Sequence, residues 1–203
     1  MKALIIVDVQ NDFIPGGALA VKEGEQIVPL INQIQEKFDF VVATQDWHPL
    51  EHGSFAANHP GKQIGEFVQL NGVQQILWPV HCVQGSFGAE FHAELNKTHW
   101  KAIFKKGTNP LVDSYSGFYD NQKQGDTGLS KFLKQNGIQE VFVCGLATDY
   151  CVKFTVLDGL AEGFAVTLIQ DASRAVNINP RDFELAIAEM RAAGAKVVLA
   201  SDL

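Results

Sequence analysis

The chain has 203 residues, 46% hydrophobic and 19% charged, with 16 Lys and Arg against 23 Asp and Glu for a formal net charge of -7. That length suits one domain (residues 1–203) with a full-sized core, and the acidic balance excludes a nucleic-acid binder, because nothing would neutralise a phosphate backbone. Three cysteines without framework spacing, an apolar amino-terminal run halted at Asp8 and no stretch of membrane-spanning length argue for a cytoplasmic protein with reduced thiols and no membrane partner.

Along the chain, short apolar runs alternate with amphipathic helical patterns, as expected of βα units around a parallel sheet. The first strand is Ala3 to Val9, nearly all apolar and so buried on both faces. A Pro15-Gly16-Gly17 turn precedes a helix over about Glu25 to Lys37, with Ile27, Leu30, Ile31 and Ile34 on one stripe. The second strand is Phe38 to Thr44 and the third, weaker, Lys101 to Phe104. Asp126 caps a helix through Asn136, and Gly137 closes it in the left-handed conformation. The fourth strand is Glu140 to Cys144, followed by a helix from Thr148 to Glu162 that Gly163 stops. Ala165 to Gln170 is the fifth strand, Asn179-Pro180 opens a helix ending near Gly194, and Lys196 to Ala200 is the sixth strand.

Two long connections break this rhythm, Gln45 to about Gly85 and Gly107 to Gly125. Connections of that length in a compact domain are usually functional. Both follow the carboxyl end of a strand, where open α/β sheets bind their ligands.

Three residues stand at such strand ends. Taken singly, Asp8 reads as a turn aspartate, Lys106 as a solvated lysine and Cys151 as a small buried hydrophobe. Taken together, they lie past the same edge of one sheet and can converge. A thiol in the first turn of a helix faces unpaired N–H groups that favour thiolate, a lysine favours it further, and a carboxylate can accept its proton. That is a nucleophile, an electrostatic partner and a base for covalent catalysis. Cys144, inside a strand, and Cys82, with no helix start to activate it, read as structural.

The first long connection holds Asp46-Trp47-His48, in which residues two apart share a side and can share a cation. With His81 they form a candidate site for a borderline divalent metal, Zn, Fe or Mn, with water completing the coordination. His52 and His59 lie in the same loop, and His59 reads as merely solvated. No phosphate-binding glycine loop follows the first strand, and no G-x-S-x-G elbow is present.

At these residues the sequence resembles the nicotinamidase (pyrazinamidase) branch of the isochorismatase-like cysteine hydrolases over nearly its whole length. The resemblance rests on Leu4-Ile5-Ile6-Val7-Asp8-Val9-Gln10-Asn11-Asp12-Phe13, on Asp46-Trp47-His48-Pro49 and on Trp78-Pro79-Val80-His81-Cys82-Val83. It extends to Lys105-Lys106-Gly107, to Asp113-Ser114-Tyr115-Ser116-Gly117-Phe118 and to Gly145-Leu146-Ala147-Thr148-Asp149-Tyr150-Cys151-Val152. It implies a Rossmann-like three-layer α/β/α fold with a six-stranded parallel sheet, and hydrolysis of nicotinamide to nicotinate and ammonia in NAD salvage, with pyrazinamide as a second substrate. By the same resemblance Asp8, Lys106 and Cys151 form a triad, and Asp46, His48 and His81 hold one divalent metal, zinc first. Phe13, Trp78, Tyr115 and Ala147 match substrate-pocket positions, and relatives carry a cis peptide at the segment matching Leu146-Ala147. His52 falls near an extra ligand of some relatives and stays open, as does a homodimer, common in the wider family. Two other readings remain: a metal-independent hydrolase of a carbamoyl, ureido or vinyl-ether substrate, and a non-catalytic metal-binding module.

Overall fold

A computed structural model describes residues 1–203. In chain order it has β1 (Lys2–Val7), α1 (Ile27–Gln35), β2 (Val41–Asp46), β3 (Phe67–Leu70), β4 (Val73–Ile76) and β5 (Trp100–Lys106). There follow α2 (Leu129–Gln135), β6 (Glu140–Leu146), α3 (Lys153–Ala161), β7 (Ala165–Arg174), α4 (Asp182–Ala192) and β8 (Lys196–Val198). Six strands form a parallel sheet in the order β5-β2-β1-β6-β7-β8.

The alternation of side chains along β1 builds the layers. Leu4 and Ile6 pack on the side covered by the α1 stripe of Ile27, Val28, Ile31 and Ile34. Ala3, Ile5 and Val7 pack on the other side, with Leu129 and Leu133 of α2, Val156 of α3, and Ile187 and Met190 of α4. Each large apolar side chain buried this way stabilises by about 1.5–3 kcal/mol. A one-residue slip would exchange the two sets, so the register is strongly specified. The result is the expected three-layer α/β/α sandwich. No helix is long and apolar enough to cross a membrane.

Several element boundaries differ from the sequence pattern, each for a local reason. The second strand begins at Val41, because Lys37 and Phe38 still donate to the helical carbonyls of Ile34 and Gln35. It also runs on to Asp46, and β5 to Lys106, because the ladder pairs Gln45 with Lys105 and Asp46 with Lys106 after the apolar runs have stopped. Asp46 and Lys106 are thus the last strand residues, not the first loop residues. Asp126 is not the helix cap. It accepts from Gly128 N, Thr127 Oγ1 accepts from Leu129 N, and α2 starts at Leu129. Gly137 does take the left-handed conformation, at φ 70°.

The helix expected from Thr148 opens as a π-helical turn (Thr148–Val152) and becomes α-helical only at Lys153. β7 continues to Arg174 beside an irregular stretch of β6. α4 starts at Asp182 and not at Asn179-Pro180, since Asp182 turns its carboxylate back to Asn179 N (2.7 Å). β8 stops at Val198, where Ala200 N leaves the ladder for Asp171 Oδ1. Inside the first long connection β3 and β4 form an antiparallel hairpin absent from the sequence reading. Its two-residue turn, Asn71 (φ 47°) and Gly72 (φ 86°), has the paired left-handed backbone that this hairpin type requires.

Candidate active site

The sheet order assembles the site. Successive strands are added outward on one side of β1 (β2, β5) and then on the other side (β6, β7, β8), so the switch point lies between β1 and β6. Asp8 directly follows β1, and Cys151 lies in the π-helical turn after β6. Lys106 ends β5 opposite Asp46 on β2. All four side chains are buried.

The Lys106 ammonium is the hub. Nζ lies 2.8 Å from Asp8 Oδ2, donates to Ser114 O (3.0 Å) and Cys151 Sγ (3.4 Å), and makes a close ion pair with Asp46 Oδ1. Asp8 itself has left-handed backbone (φ 48°), and its Oδ1 accepts from Thr44 Oγ1 at 2.7 Å. The expected trio does converge, and the structure adds a fourth member. Asp46, expected only as a metal ligand, also neutralises Lys106.

Burial and charge oppose one another at each group. Burial pushes the Asp8 carboxyl up to about 6, against the pull of Lys106. Burial would also strip Lys106 of its proton, but Asp46 and Asp8 outweigh it and hold the ammonium well above its usual range. For Asp46 burial loses too, and Lys106 and His48 keep it ionised far below the usual carboxylate range. The Cys151 thiol is pushed well up by burial, with Lys106 opposing and Asp8 and Asp46 adding to the rise. Lys106 favours the thiolate as expected, but burial opposes it more strongly. Desolvation dominates, so the thiol keeps its proton until a base removes it.

On its other side, Asp46 Oδ2 faces His48 Nε2 (3.6 Å) and His81 Nε2 (3.9 Å). The ligand atoms of these three buried residues all lie within 4.8 Å of one another. His48 Nδ1 donates to Gly107 O (2.8 Å) and His81 Nδ1 to Pro79 O (2.8 Å). With Nδ1 of each ring bonded there, both Nε2 atoms are turned inward, the usual outer-shell arrangement around a metal. Burial and the neighbouring His48 lower His81 to about 4, so its ring is neutral. Gln10 braces Asp46 through its main chain, donating from Nε2 to Asp46 O and accepting from Asp46 N at Oε1, both 2.8 Å. Gly107 has φ 64°, and a Cβ there would lie 2.2 Å from His48 Cε1, so only glycine admits the ring.

One carboxylate oxygen and two imidazole nitrogens, preoriented and buried, fit a borderline divalent cation. His52 lies beside His48, with ring centroids 4.4 Å apart. Its Nδ1 accepts from Ser54 N (3.2 Å) and meets Ser54 Oγ (2.7 Å), so its proton sits on Nε2, which has no partner. His48, His52 and Asp113 form a second buried group whose ligand atoms lie within 4.8 Å of one another. His59 is half-buried, and its Nε2 bonds to Gly53 O, away from the cluster.

A narrow cleft opens over Cys151, with about 30 Å³ available to the centre of a water-sized sphere. Phe13, Trp78, Tyr115 and Ala147, all expected there, line it together with Asp46, His81 and Cys151. Trp78 meets Tyr150 edge-on (4.9 Å), and Tyr150 meets Tyr115 (5.4 Å), so the walls brace one another. Leu19, Asp113, Tyr150 and Val176 also line it. Tyr150 adjoins Cys151 and Asp113 lies two residues before Tyr115, so adjacency to named residues was the available signal; Leu19 and Val176 carry none. The Leu146-Ala147 peptide is cis, as the resemblance implies.

The isochorismatase domain model matches residues 2–202. The nicotinamidase of Escherichia coli (strain K12) is 50% identical over 205 residues, covering 99% of this chain and 96% of the relative. The structure of an Acinetobacter baumanii nicotinamidase and pyrazinamidase superposes with a TM-score of 0.96 at 46% identity, covering 99% and 97% of the two chains. The pyrazinamidase of Pyrococcus horikoshii, solved in complex with zinc, gives 0.80 at 42% identity and 98% coverage of both.

Proposed function

The chain belongs to the isochorismatase family, and from that membership and the geometry of its cleft we propose that residues 1–203 form one hydrolase domain that converts nicotinamide to nicotinate and ammonia. Pyrazinamide is the second substrate, and NAD salvage is the setting. Three free, buried cysteines support a cytoplasmic location. The observation that carries the reading is the contact of Lys106 with both Asp8 and Cys151 at the floor of an aromatic slot, beside an Asp46–His48–His81 set. A carbamoyl, ureido or vinyl-ether substrate would leave that set without a task.

In the reaction the aromatic walls hold the pyridine ring and set its carboxamide over Cys151, replacing a bimolecular encounter by an oriented one. Asp46, His48 and His81 would hold one divalent ion, zinc by preference with iron and manganese as alternatives, which would supply a Lewis acid beside the ring. Asp8 takes the thiol proton, and a carboxyl with a pKa of about 6 is well matched to that task near neutrality. The thiolate attacks the carboxamide carbon while backbone N–H groups at Ala147 and Cys151 receive the oxyanion; one such donor is typically worth about 3 kcal/mol. Asp8 returns the proton to the departing ammonia and the C–N bond breaks, leaving a thioester on Cys151. Water then attacks the thioester, with Asp8 as base, and nicotinate leaves. Lys106 holds the Asp8 carboxylate and the sulfur in place throughout, its charge favouring the anionic form of each.

The test is ammonia release from nicotinamide by the wild-type protein and by Cys151→Ala, with bound metal measured in both. The expected result is wild-type turnover and no release by the variant at unchanged metal content. Near wild-type turnover by Cys151→Ala would overturn the mechanism.

A further inference from the structure

Gln75 belongs to the β3–β4 hairpin, on the surface side of the slot, yet it is 2% exposed while Phe67 on the same hairpin is 54% exposed. Its Nε2 faces three acceptors: Ile76 O at 2.7 Å, Tyr115 Oη at 2.9 Å and Asp113 Oδ2 at 3.0 Å. The amide orientation is fixed by chemistry. Were Oε1 in that place, it would meet a carbonyl and a carboxylate, neither of which can donate. Tyr115 Oη receives a second N–H from Trp78 Nε1 at 3.1 Å.

Neither Gln75 Nε2 nor Trp78 Nε1 can accept, so the hydroxyl is the acceptor towards both, with the two Gln75 N–H hydrogens shared among that residue's three acceptors. Its single proton is donated to no group of the chain and stays available to an acceptor in the slot. Burial, and the charge of Asp113, hold that hydroxyl protonated well beyond its usual range.

We propose that Gln75 is a positioning residue for the substrate slot, acting through the Tyr115 hydroxyl to lock the Tyr115 and Trp78 walls in place. Gln75 touches neither the nucleophile nor the reacting carbon. Its influence passes through ring placement, so it bears on how tightly a planar aromatic amide is held and not on the chemistry of Cys151. The hairpin is then more than a cover, since it delivers a polar side chain to the hydroxyl through which Trp78 and Tyr115 meet. The inference rests on the hydrolase reading above.

The experiment compares wild type, Gln75→Met, Tyr115→Phe and the double variant, with KM and kcat for nicotinamide, melting temperature and metal content measured on each. Gln75→Met keeps the length and removes both donors. It is expected to raise KM roughly threefold to tenfold, the scale of one or two neutral hydrogen bonds, with kcat within about twofold. Tyr115→Phe should do the same, and the double variant should be no worse than the poorer single, because Gln75 acts on the slot through the Tyr115 hydroxyl. A purely structural role would instead lower the active fraction, and so kcat, at constant KM. If Gln75→Met fails to fold, Gln75→Leu, which also removes both donors and adds no charge, is read the same way. A variant KM within twofold of wild type, or multiplicative effects in the double variant, overturns the inference while the hydrolase reading stands. A wild-type protein that releases no ammonia overturns both.

Discussion

The Lys106 ammonium, 2% exposed, meets three oxygens and a sulfur with no solvent between them. Such a group is held charged only by its partners, and it in turn favours their ionised forms. Lys106→Met would therefore leave Asp8 and Asp46 buried and unpaired. Breaking a buried pair in this way costs about 3–5 kcal/mol. Urea unfolding of the metal-free proteins should show a loss of that size, and a variant as stable as wild type would mean that the carboxylates find other partners. Asp46 is the more constrained residue still, because one oxygen serves Lys106 and the other faces the two histidines. The thiol of Cys151 is the converse case. Nothing outweighs its burial, so its reactivity depends on Asp8 acting as a base.

At the scale of elements, one carboxylate links α2, the end of α3 and the connection before α2. Glu162, just past α3, accepts from Lys134 Nζ (2.6 Å) and Ser130 Oγ on α2, and from Tyr119 Oη (2.6 Å) in the connection before it. Lys134 first, then Ser130 and Tyr119, lower Glu162 from 4.5 to about 2. A lowered folded-state pKa stabilises fully above the unfolded value, and the contribution is lost as pH falls from about 4.5 towards 2. Lys134 is 52% exposed, so solvent screening limits the gain to about 1 kcal/mol, or roughly 2–4 °C in melting temperature. Glu162→Gln should show that deficit at pH 6 and a smaller one at pH 3. A gap that stays constant or widens on acidification would contradict the assignment.

For the molecule as a whole, the parallel sheet and its two covered faces were legible because apolar runs and helical stripes report burial directly. Ends of elements were less so. The sequence pattern stops β2 and β5 where hydrophobicity stops, whereas backbone hydrogen bonds continue under Gln45, Asp46, Lys105 and Lys106. That two-residue difference is what seats Asp46 opposite Lys106 and joins the nucleophile's surroundings to the histidine set. The β3–β4 hairpin was signalled by Asn71-Gly72 and passed over, since Gln74, Gln75 and their neighbours lack a clean alternation. Asp8, Lys106 and Cys151 are far apart in sequence, and only the switch point between β1 and β6 brings them together. Because Asp46, His48 and His81 come from β2 and from the long connection after it, a bound ion would pin that connection to the sheet. Metal removal should lower the melting temperature, since a ligand at a hundred times its Kd adds about 2.7 kcal/mol to stability. Equal melting of stripped and zinc-loaded protein would argue against that link.

Gly107 has a consequence for heritable variation. Its missing side chain is the space the His48 ring occupies, and its carbonyl fixes that ring's proton. In a genetic selection that demands amide hydrolysis, every missense allele at codon 107 should score with the deletions, whatever the chemistry of the replacement. The neighbouring codon, for the exposed Thr108, should accept most changes. A sharp step in mutational tolerance between two adjacent codons would thus be the population-level trace of one packed imidazole.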